Sequence, residues 1–199
     1  MQIILASQSP RRRELLERMG FTNFEIIPAA GEETADPSLT PAQLVETLSM
    51  QKAAEVAAAH PDALVIAADT VVSIDGAVLG KPDSPEEAAR MLSTLSGREH
   101  TVFSGLTVRL GGKAVTEHAS TLVRFRPLAA EEICTYIATG EPMDKAGAYG
   151  IQGYGSMLVE GISGDFYNVM GLPVCRLAQI LARLGVNPLA LAAHKEQET

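Results

Sequence analysis

Several residue types that point to common classes of site are scarce in this sequence. Its 199 residues include two cysteines, four histidines and no tryptophan, and Cys134 and Cys175 lie far apart. No Cys-x-x-Cys pair and no Cys/His cluster occurs, which excludes the usual zinc and disulfide frameworks and fits the reducing cytoplasm. No apolar run approaches the roughly 20 residues of a membrane span. We therefore expect a cytoplasmic chain without a membrane partner.

Positive charge is also scarce. Lysine and arginine total 16, aspartate and glutamate total 24, and the formal net charge is −8. A chain with this balance is a poor non-specific binder of nucleic acid, so we predict no nucleic-acid partner. A local basic cluster can still bind a small anion against this background. Hydrophobic residues make up 46% and charged residues 20%, which is typical of a folded globular chain.

Three segments carry the start signals of helices. Each has Ser or Thr at the N-cap followed by Pro, which suits the first helical position because no backbone N–H is needed there. The three N-caps are Ser9, Thr40 and Ser84. Thr40 also has the capping-box spacing to Gln43. Further helices are predicted over 129–139 and 173–184, and we expect the tail beyond Pro188 to fray.

Apolar runs predict strands between these helices. Segment 64–68 is continuously apolar, which is typical of a strand covered on both faces, and it leads into Asp69-Thr70. Asp75-Gly76 and Gly111-Gly112 each join two strand-like segments. This mixture of βα units and hairpins predicts an α/β fold with a mixed, twisted sheet and flanking helices. No linker divides the chain, so we expect one domain over residues 1–199.

The start of the first predicted helix is a candidate anion site. Free N–H groups and a partial positive charge at a helix N-terminus bind phosphate. Arg11 and Arg12 occupy early helical positions, where a positive charge opposes the helix dipole unless an anion is bound. Arginine also holds phosphate oxygens in a bidentate manner. The alternative is a basic, solvated helix start.

Asp69 and Lys81 are candidates for chemistry at a phosphate group. Asp69 directly follows segment 64–68, and ligands of open α/β sheets bind beyond the carboxyl ends of strands. An acid there can hold Mg²⁺ or activate water, or it can simply start a turn. Lys81, between Gly80 and Pro82, is a point charge suited to a polyphosphate, although a solvated surface lysine is the more common explanation of any single lysine.

Segment 144–153 is rich in glycine and contains Gln152. Glycines allow a ligand to approach the backbone closely. The Gln152 amide offers a donor and an acceptor, so it can read the edge of a base. The alternative is a glycine-rich connection with an exposed glutamine.

Taken in chain order, these segments resemble the Maf family of nucleoside triphosphate pyrophosphatases. The resemblance extends over roughly residues 2–185 and is specific because all the segments occur in the family's order. They are Ala6-Ser7-Gln8-Ser9-Pro10-Arg11-Arg12, Glu32-Glu33, Lys52-Ala53, Ala68-Asp69-Thr70-Val71-Val72, Gly80-Lys81-Pro82, Leu95-Ser96-Gly97, Asp144-Lys145-Ala146-Gly147-Ala148-Tyr149-Gly150-Ile151-Gln152-Gly153 and Asn168-Val169-Met170-Gly171-Leu172-Pro173.

The resemblance implies a fold and an activity. The fold is inosine-triphosphate-pyrophosphatase-like, with two lobes around a central cleft. The activity is hydrolysis of a nucleoside triphosphate between the α and β phosphates, which gives a monophosphate and pyrophosphate and removes surplus or modified nucleotides. A divalent cation, Mg²⁺ or Mn²⁺, a cytoplasmic location and a homodimer are also implied.

The family's residue roles carry over by motif position. Asp69 resembles the proton acceptor that activates the attacking water, and Asp69 and Glu33 resemble the residues that hold the metal. Arg12, Lys52 and Lys81 would neutralise the triphosphate. Ser7 would donate to a phosphate oxygen.

Substrate choice is implied by three further positions, which are Arg11, Thr70 and Gln152. They resemble the branch of the family that acts on dTTP and UTP. The branch that acts on 7-methyl-GTP typically has Gln where Thr70 stands. Two alternatives stay open: a pyrophosphatase of the 7-methyl-GTP type, and a nucleotide-binding regulator of cell division with little catalysis.

Overall fold

The computed structural model describes residues 1–31, 34 and 36–193. Its strands form one sheet in the order β2-β1-β3-β5-β6-β7, with β4 paired to β3. The strands are β1 (Ile3–Leu5), β2 (Glu25–Ile26), β3 (Leu64–Ile74), β4 (Ala77–Leu79), β5 (Glu99–Leu110), β6 (Lys113–Phe125) and β7 (Val159–Ser163). Strand β1 pairs in parallel with β2 and β3, whereas β3–β4 and β6–β7 are antiparallel. The predicted mixed α/β sheet is confirmed.

Helices flank this sheet, as predicted. They are α1 (Pro10–Arg18), α2 (Pro41–Ala59), α3 (Pro85–Leu95), α4 (Ala130–Ala138), α5 (Phe166–Met170), α6 (Val174–Arg183) and α7 (Pro188–Ala193). Short 3₁₀ helices cover Glu141–Asp144, Ala146–Ala148 and Tyr154–Leu158. The three predicted N-caps are present, since Ser9, Thr40 and Ser84 each accept a hydrogen bond from a backbone N–H of the first turn. Within the described residues, no helix has the length and apolar character needed to span a membrane.

The chain forms two compact units. The first comprises Met1–Asp69, Ser104–Ala119 and Gly171–Thr199, and the second comprises Thr70–Phe103 and Ser120–Met170. Strands β3, β5 and β6 each contribute residues to both units. The single domain over residues 1–199 stays a prediction.

The core of the first unit lies where α2 covers β1 and β3. Its buried residues are small or β-branched, which lets the helix and the sheet approach closely. They are Ile4, Ala6, Ala53, Val56, Ala63, Val65 and Ala67. The closest approach is at Gly105, where a Cβ would lie 2.0 Å from the carbonyl oxygen of Val45. Glycine is therefore required at this position by α2.

The core of the second unit contains larger side chains. Helices α3 and α4 pack against each other and bury Leu92, Leu95 and Ile133. His100 is also buried and makes edge-on ring contacts with Phe125 and Tyr149. Desolvation by this burial lowers the pKa of His100 from 6.5 to about 4, so its imidazole is neutral at pH 7.

Two expectations differ from the structure. The predicted strand over 64–68 does not end before Asp69, because β3 continues to Ile74. The expected frayed tail begins instead with α7, since Asn187 accepts hydrogen bonds from the backbone N–H groups of Leu189 and Ala190 and so caps this helix. Residues 194–199 lie outside the described residues.

Candidate active site

Lys52 and Asp69 form a partly buried ion pair in the first unit. The Nζ of Lys52 lies 2.5 Å from Oδ1 of Asp69, and the two side chains are 16% and 13% exposed. Alternation along β3 places Asp69 on the same face as Val65 and Ala67, which α2 covers. Lys52 follows Ser49 by one helical turn and precedes Val56 by another, so it lies in the buried stripe of α2.

The position of Asp69 corrects the sequence-based interpretation. Asp69 lies inside β3 rather than after its carboxyl end. The β1 register on this strand ends at Ile66 and the β4 register begins at Val72, so Asp69 lies on the stretch between them. Among the described residues, the hydrogen bond to its carboxylate comes from Lys52 and falls on Oδ1. Oδ2 therefore has lone pairs that can accept from a water molecule or bind a cation.

Ser7 and Arg12 form a second part of the site in the same unit. Arg12 donates from Nε to the carbonyl oxygen of Gly171 at 2.8 Å and from a terminal nitrogen to Oγ of Ser7 at 3.0 Å. The backbone N–H of Ser9 also donates to Oγ of Ser7, at 3.3 Å. Because this hydroxyl accepts from both groups, its own hydrogen can donate to a further acceptor such as a phosphate oxygen.

Strand pairing places these two parts at the same end of the sheet. Leu5 pairs with Ile66, and the backbone N–H of Ala6 donates to the carbonyl of Ile66 at 2.8 Å. Ser7 directly follows this last pairing of β1, while β3 continues to Asp69. The start of α1, with a half-buried Arg11 and Arg12, therefore follows β1 at the end of the sheet toward which β3 runs to Asp69.

Buried hydroxyl groups hold α2 on the sheet below Lys52. The hydroxyl oxygens of Ser49 and Thr107 lie 2.9 Å apart, and those of Thr107 and Thr116 also lie 2.9 Å apart. Ser49 and Thr107 are fully buried, so these hydrogen bonds replace solvation that the hydroxyls have lost. Together with the close contact at Gly105, these hydrogen bonds fix the position of α2 on the sheet and therefore the position of Lys52.

The second unit brings two other predicted motifs together. The backbone N–H of Gly147 donates to the carbonyl oxygen of Gly80 at 2.9 Å, next to Lys81. Lys81 is exposed at the end of the β3–β4 hairpin. Gln152 is also exposed, and no described residue forms a hydrogen bond with its side-chain amide. Thr70, directly after Asp69 on β3, is half-buried.

The glycines of segment 144–153 have a different role from the one expected. A Cβ at Gly147 would lie 2.7 Å from Val72, and one at Gly150 would lie 2.6 Å from Cε of Lys145. A Cβ at Gly153 would lie 2.1 Å from Oε2 of Glu141. The expectation that these glycines leave room for a ligand is corrected at these three positions, because side chains of the protein fill the space.

Glu141 and Tyr136, which no sequence motif indicates, organise this segment. Oε1 of Glu141 accepts from the hydroxyl of Tyr136 at 2.9 Å and from the backbone N–H of Gly155 at 2.9 Å, while Oε2 accepts from the N–H of Tyr154 at 2.8 Å. Desolvation raises the pKa of Glu141, but these hydrogen bonds and the charge of Lys145 outweigh it and hold the pKa below its ordinary value. The glycines of this segment are the sequence signal for this packing, because close contacts with other side chains leave no room for a Cβ.

Glu33, the second predicted metal ligand, lies outside the described residues. Within residues 1–31, 34 and 36–193, no group of three or more His, Cys, Asp or Glu side chains is placed to hold a metal ion. Mg²⁺ commonly binds one or two carboxylates and completes its shell with water and substrate phosphates.

Comparison with protein families tests the family relationship that the motifs suggest. The family model described as Maf-like protein matches residues 2–184. The chain belongs to the Maf family. A Maf relative from Moorella thermoacetica named dTTP/UTP pyrophosphatase is 54% identical and aligns over 94% of this chain and 96% of its own length. A relative of the same name from Symbiobacterium thermophilum is 49% identical, over 92% and 94% of the two chains.

Two solved structures resemble part of this Maf chain. A HAM1 protein from Coxiella burnetii has a TM-score of 0.47 and 18% identity, and covers 63% of this chain and 73% of its own. A nucleoside-triphosphatase, or dITP/XTP pyrophosphatase, from Mycobacterium abscessus has a TM-score of 0.44 and 18% identity, over 64% and 76% of the two chains.

Proposed function

We propose that this Maf-family chain is a nucleoside triphosphate pyrophosphatase that hydrolyses dTTP and UTP to the monophosphate and pyrophosphate. The observation that carries the proposal is the Lys52–Asp69 pair, in which a lysine holds one oxygen of a partly buried carboxylate and the other oxygen accepts no hydrogen bond from the described residues. Relatives that are 54% and 49% identical over more than nine-tenths of this chain bear the name dTTP/UTP pyrophosphatase, which supports the substrate class.

Asp69 is the proposed proton acceptor. Its Oδ2 takes a proton from a water molecule as the water oxygen attacks the α-phosphorus, and the bond between the α-phosphorus and the bridging oxygen breaks. The leaving pyrophosphate carries the electrons of that bond. Lys52, whose ammonium group already contacts Oδ1, fixes the carboxylate and contributes a positive charge as negative charge develops.

Arg12 and Ser7 are the proposed phosphate-binding pair. The contacts of Arg12 with Gly171 and Ser7 orient the guanidinium before substrate arrives, which lowers the entropic cost of binding. The Ser7 hydroxyl donates its remaining hydrogen to a phosphate oxygen. Lys81, exposed beyond β4, supplies a further positive charge for the triphosphate.

The donor set fits a divalent cation. Oδ2 of Asp69, which accepts no hydrogen bond from the described residues, has two lone pairs, so one can face the cation while the other accepts from the attacking water, and Glu33 is the proposed second ligand. Mg²⁺ or Mn²⁺ suits such oxygen ligands. When bound, the cation neutralises phosphate charge and polarises the bond to be broken. Asp69 and Glu33 would hold it.

Base recognition is assigned to Arg11, Thr70 and Gln152. Uracil and thymine present a ring N–H donor beside a carbonyl acceptor. The side-chain amide of Gln152 carries the complementary acceptor and donor, and it is exposed and uncommitted among the described residues. Thr70 is half-buried on β3, directly after the proposed proton acceptor.

We further propose that the protein acts in the cytoplasm as a homodimer on small-molecule nucleotides. Both cysteines are free and exposed, which suits a reducing compartment. The homodimer is an implication of the family resemblance. Light scattering during gel filtration measures it, and a mass near that of one chain at micromolar concentration would contradict it.

A substrate panel tests the proposed function. The purified protein is incubated with Mg²⁺, or in parallel with Mn²⁺, and with dTTP, UTP, CTP, GTP or 7-methyl-GTP, and products are separated by ion-exchange chromatography. We expect monophosphate and pyrophosphate in equal amounts, fastest from dTTP and UTP. Release of a diphosphate and inorganic phosphate would contradict the assigned bond. Preferred turnover of 7-methyl-GTP would favour that branch, and nucleotide binding without turnover would favour a regulator.

A further inference from the structure

Hydrogen bonds hold the segment that carries Gln152 on both sides of that residue. Before it, the backbone N–H of Gly150 donates to the hydroxyl of Tyr136 at 3.2 Å. After it, the N–H groups of Tyr154 and Gly155 donate to the carboxylate of Glu141. Since the Tyr136 hydroxyl donates in turn to Glu141, one carboxylate anchors both ends.

Packing restricts the same segment. Ile151 is buried, whereas Gln152 and Gly153 are exposed, so the apolar side chain fixes the base of a short loop and the amide lies at its tip. A Cβ at Gly155 would lie 2.5 Å from the carbonyl oxygen of Gly150 and 2.7 Å from the Tyr136 hydroxyl. The two ends of the loop are therefore in close contact, and Glu141 lies against both Gly153 and Gly155.

The ionised carboxylate of Glu141 suits this arrangement of hydrogen-bond donors. Three donors converge on its two oxygens, which are the hydroxyl of Tyr136 and the N–H groups of Tyr154 and Gly155. An ionised carboxylate only accepts hydrogen bonds, so it satisfies all three at once. A glutamine of the same shape has one accepting oxygen, and its NH₂ group would face a backbone N–H.

The position of the Gln152 amide matters because uracil shares its hydrogen-bonding pattern with another base. Guanine presents a carbonyl acceptor beside a ring N–H donor in the same order as uracil. An amide that is free to move could therefore accept either base. The two differ in distance from the sugar, because the purine has two fused rings, so only a fixed amide can favour the shorter pyrimidine.

We propose that Glu141 is a positioning residue for substrate choice: by anchoring both ends of the loop, it holds Gln152 at the distance that suits a pyrimidine and rejects a purine. This inference rests on the proposed function. Glu141 acts through Gln152 and contacts neither the phosphate chain nor the attacking water.

The test compares Glu141→Gln with Glu160→Gln as a matched control. Glu160 is an exposed residue of β7 in the same unit, and its carboxylate pairs with an equally exposed Arg124. For each variant, kcat and KM are measured with UTP and GTP. We expect Glu141→Gln to lower the ratio of kcat/KM for UTP to that for GTP at least tenfold, mainly through KM, with kcat for UTP within twofold. The control should keep the wild-type ratio.

A double variant separates positioning from a general structural role. If Glu141 acts through Gln152, Glu141→Gln combined with Gln152→Ala has the same UTP-to-GTP ratio as Gln152→Ala alone. Equal losses of kcat/KM for both nucleotides, or losses that multiply in the double variant, would overturn the inference. Tyr136→Phe, which removes the hydroxyl shared by Gly150 and Glu141, should shift the ratio in the same direction if Glu141→Gln does not fold.

Amide hydrogen exchange measures the anchor independently of turnover. At least one of the N–H groups of Tyr154 and Gly155, the one that faces the NH₂ group of the introduced glutamine, should exchange at least tenfold faster in Glu141→Gln than in the wild type, and unchanged rates at both would overturn the anchor. Faster exchange with an unchanged nucleotide ratio would overturn the positioning role alone. Absence of dTTP and UTP turnover by the wild-type protein would instead overturn the proposed function, and with it the base that Gln152 is assigned to read.

Discussion

The ammonium nitrogen of Lys52 lies 2.5 Å from Oδ1 of Asp69 and joins the buried stripe of α2 to the middle of β3. Both side chains are largely screened from solvent, so their contact is not an ordinary surface ion pair. The pair engages Oδ1 of Asp69 and leaves Oδ2 without a hydrogen bond from the described residues. In the proposed mechanism, the placement of α2 therefore orients the reacting carboxylate.

Asp69→Asn should abolish most turnover and leave the fold intact. The amide cannot take a proton from water, and a positioned general base contributes roughly 10²–10⁴-fold to a rate. We expect kcat to fall by about that factor, measured by pyrophosphate release, with an unchanged circular dichroism spectrum. Asp62→Asn, an exposed residue just before β3, is the matched control. A variant that retained the wild-type kcat would remove Asp69 from the role of proton acceptor.

Lys52→Gln should lower kcat/KM for UTP by about 100-fold. Removal of one preorganised group that stabilises developing charge typically costs about 10²–10³ in rate. Lys113→Gln, at an exposed position on β6, tests whether loss of any positive charge has this effect. Steady-state kinetics at several salt concentrations distinguish the two variants. Similar small losses of kcat/KM in both variants would show that Lys52 acts only through the overall electrostatic field of the protein.

Gly105→Ala should destabilise the protein by about 3 kcal/mol, the upper end of the range for overpacking a core. The added Cβ would lie 2.0 Å from the carbonyl oxygen of Val45, and backbone of a packed helix has to move to accommodate it. Urea denaturation measures the change in the free energy of unfolding. Gly80→Ala is the control, because a Cβ there has no neighbour within 4 Å. Equal stability of the two variants would contradict the close approach of α2.

Stability should fall on acidification through His100. Its pKa is lowered from 6.5 to about 4 by burial, so between these pH values the unfolded chain binds a proton that the folded chain does not. The free energy of unfolding should therefore decrease as the pH falls from 6.5 to 4, by about 3 kcal/mol from this group. His100→Gln should flatten that part of the pH profile, measured by urea denaturation, whereas His60→Gln should keep it. Parallel profiles for the wild type and His100→Gln would count against a buried neutral His100.

Helix starts could be predicted because their chemistry is local. At Ser9, Thr40 and Ser84, the side-chain oxygen and the following proline are adjacent in sequence, and each cap is present as expected. The same chemistry begins α7 at Asn187-Pro188, where the sequence analysis predicts no helix. The cap rule, which rests on neighbouring residues, therefore holds at all three positions predicted from it.

The course of β3 could not be predicted in the same way. Asp69-Thr70 interrupts the apolar run, which favours a strand end when the pattern alone is considered. Pairing decides otherwise, because β1 pairs with Leu64–Ile66 and β4 pairs with Val72–Ile74 on the same strand. Strand length thus depends on partners that are distant in sequence.

Only part of the candidate site could be predicted from the sequence. Lys52 followed from the family resemblance, although it is the one basic residue of α2 and shares a stripe with buried Ser49 and Val56. Gly171, whose carbonyl accepts from Arg12, and Glu141, which fills the space beside Gly153, act across long sequence separations. No local pattern shows such contacts.

The most direct test of the account is hydrolysis of UTP in water enriched in ¹⁸O. If Asp69 activates water for attack at the α-phosphorus, the label enters the uridine monophosphate and is absent from pyrophosphate. Mass spectrometry of both products gives the answer in a single turnover. Label in the pyrophosphate would place the attack at the β-phosphorus and contradict the proposed mechanism.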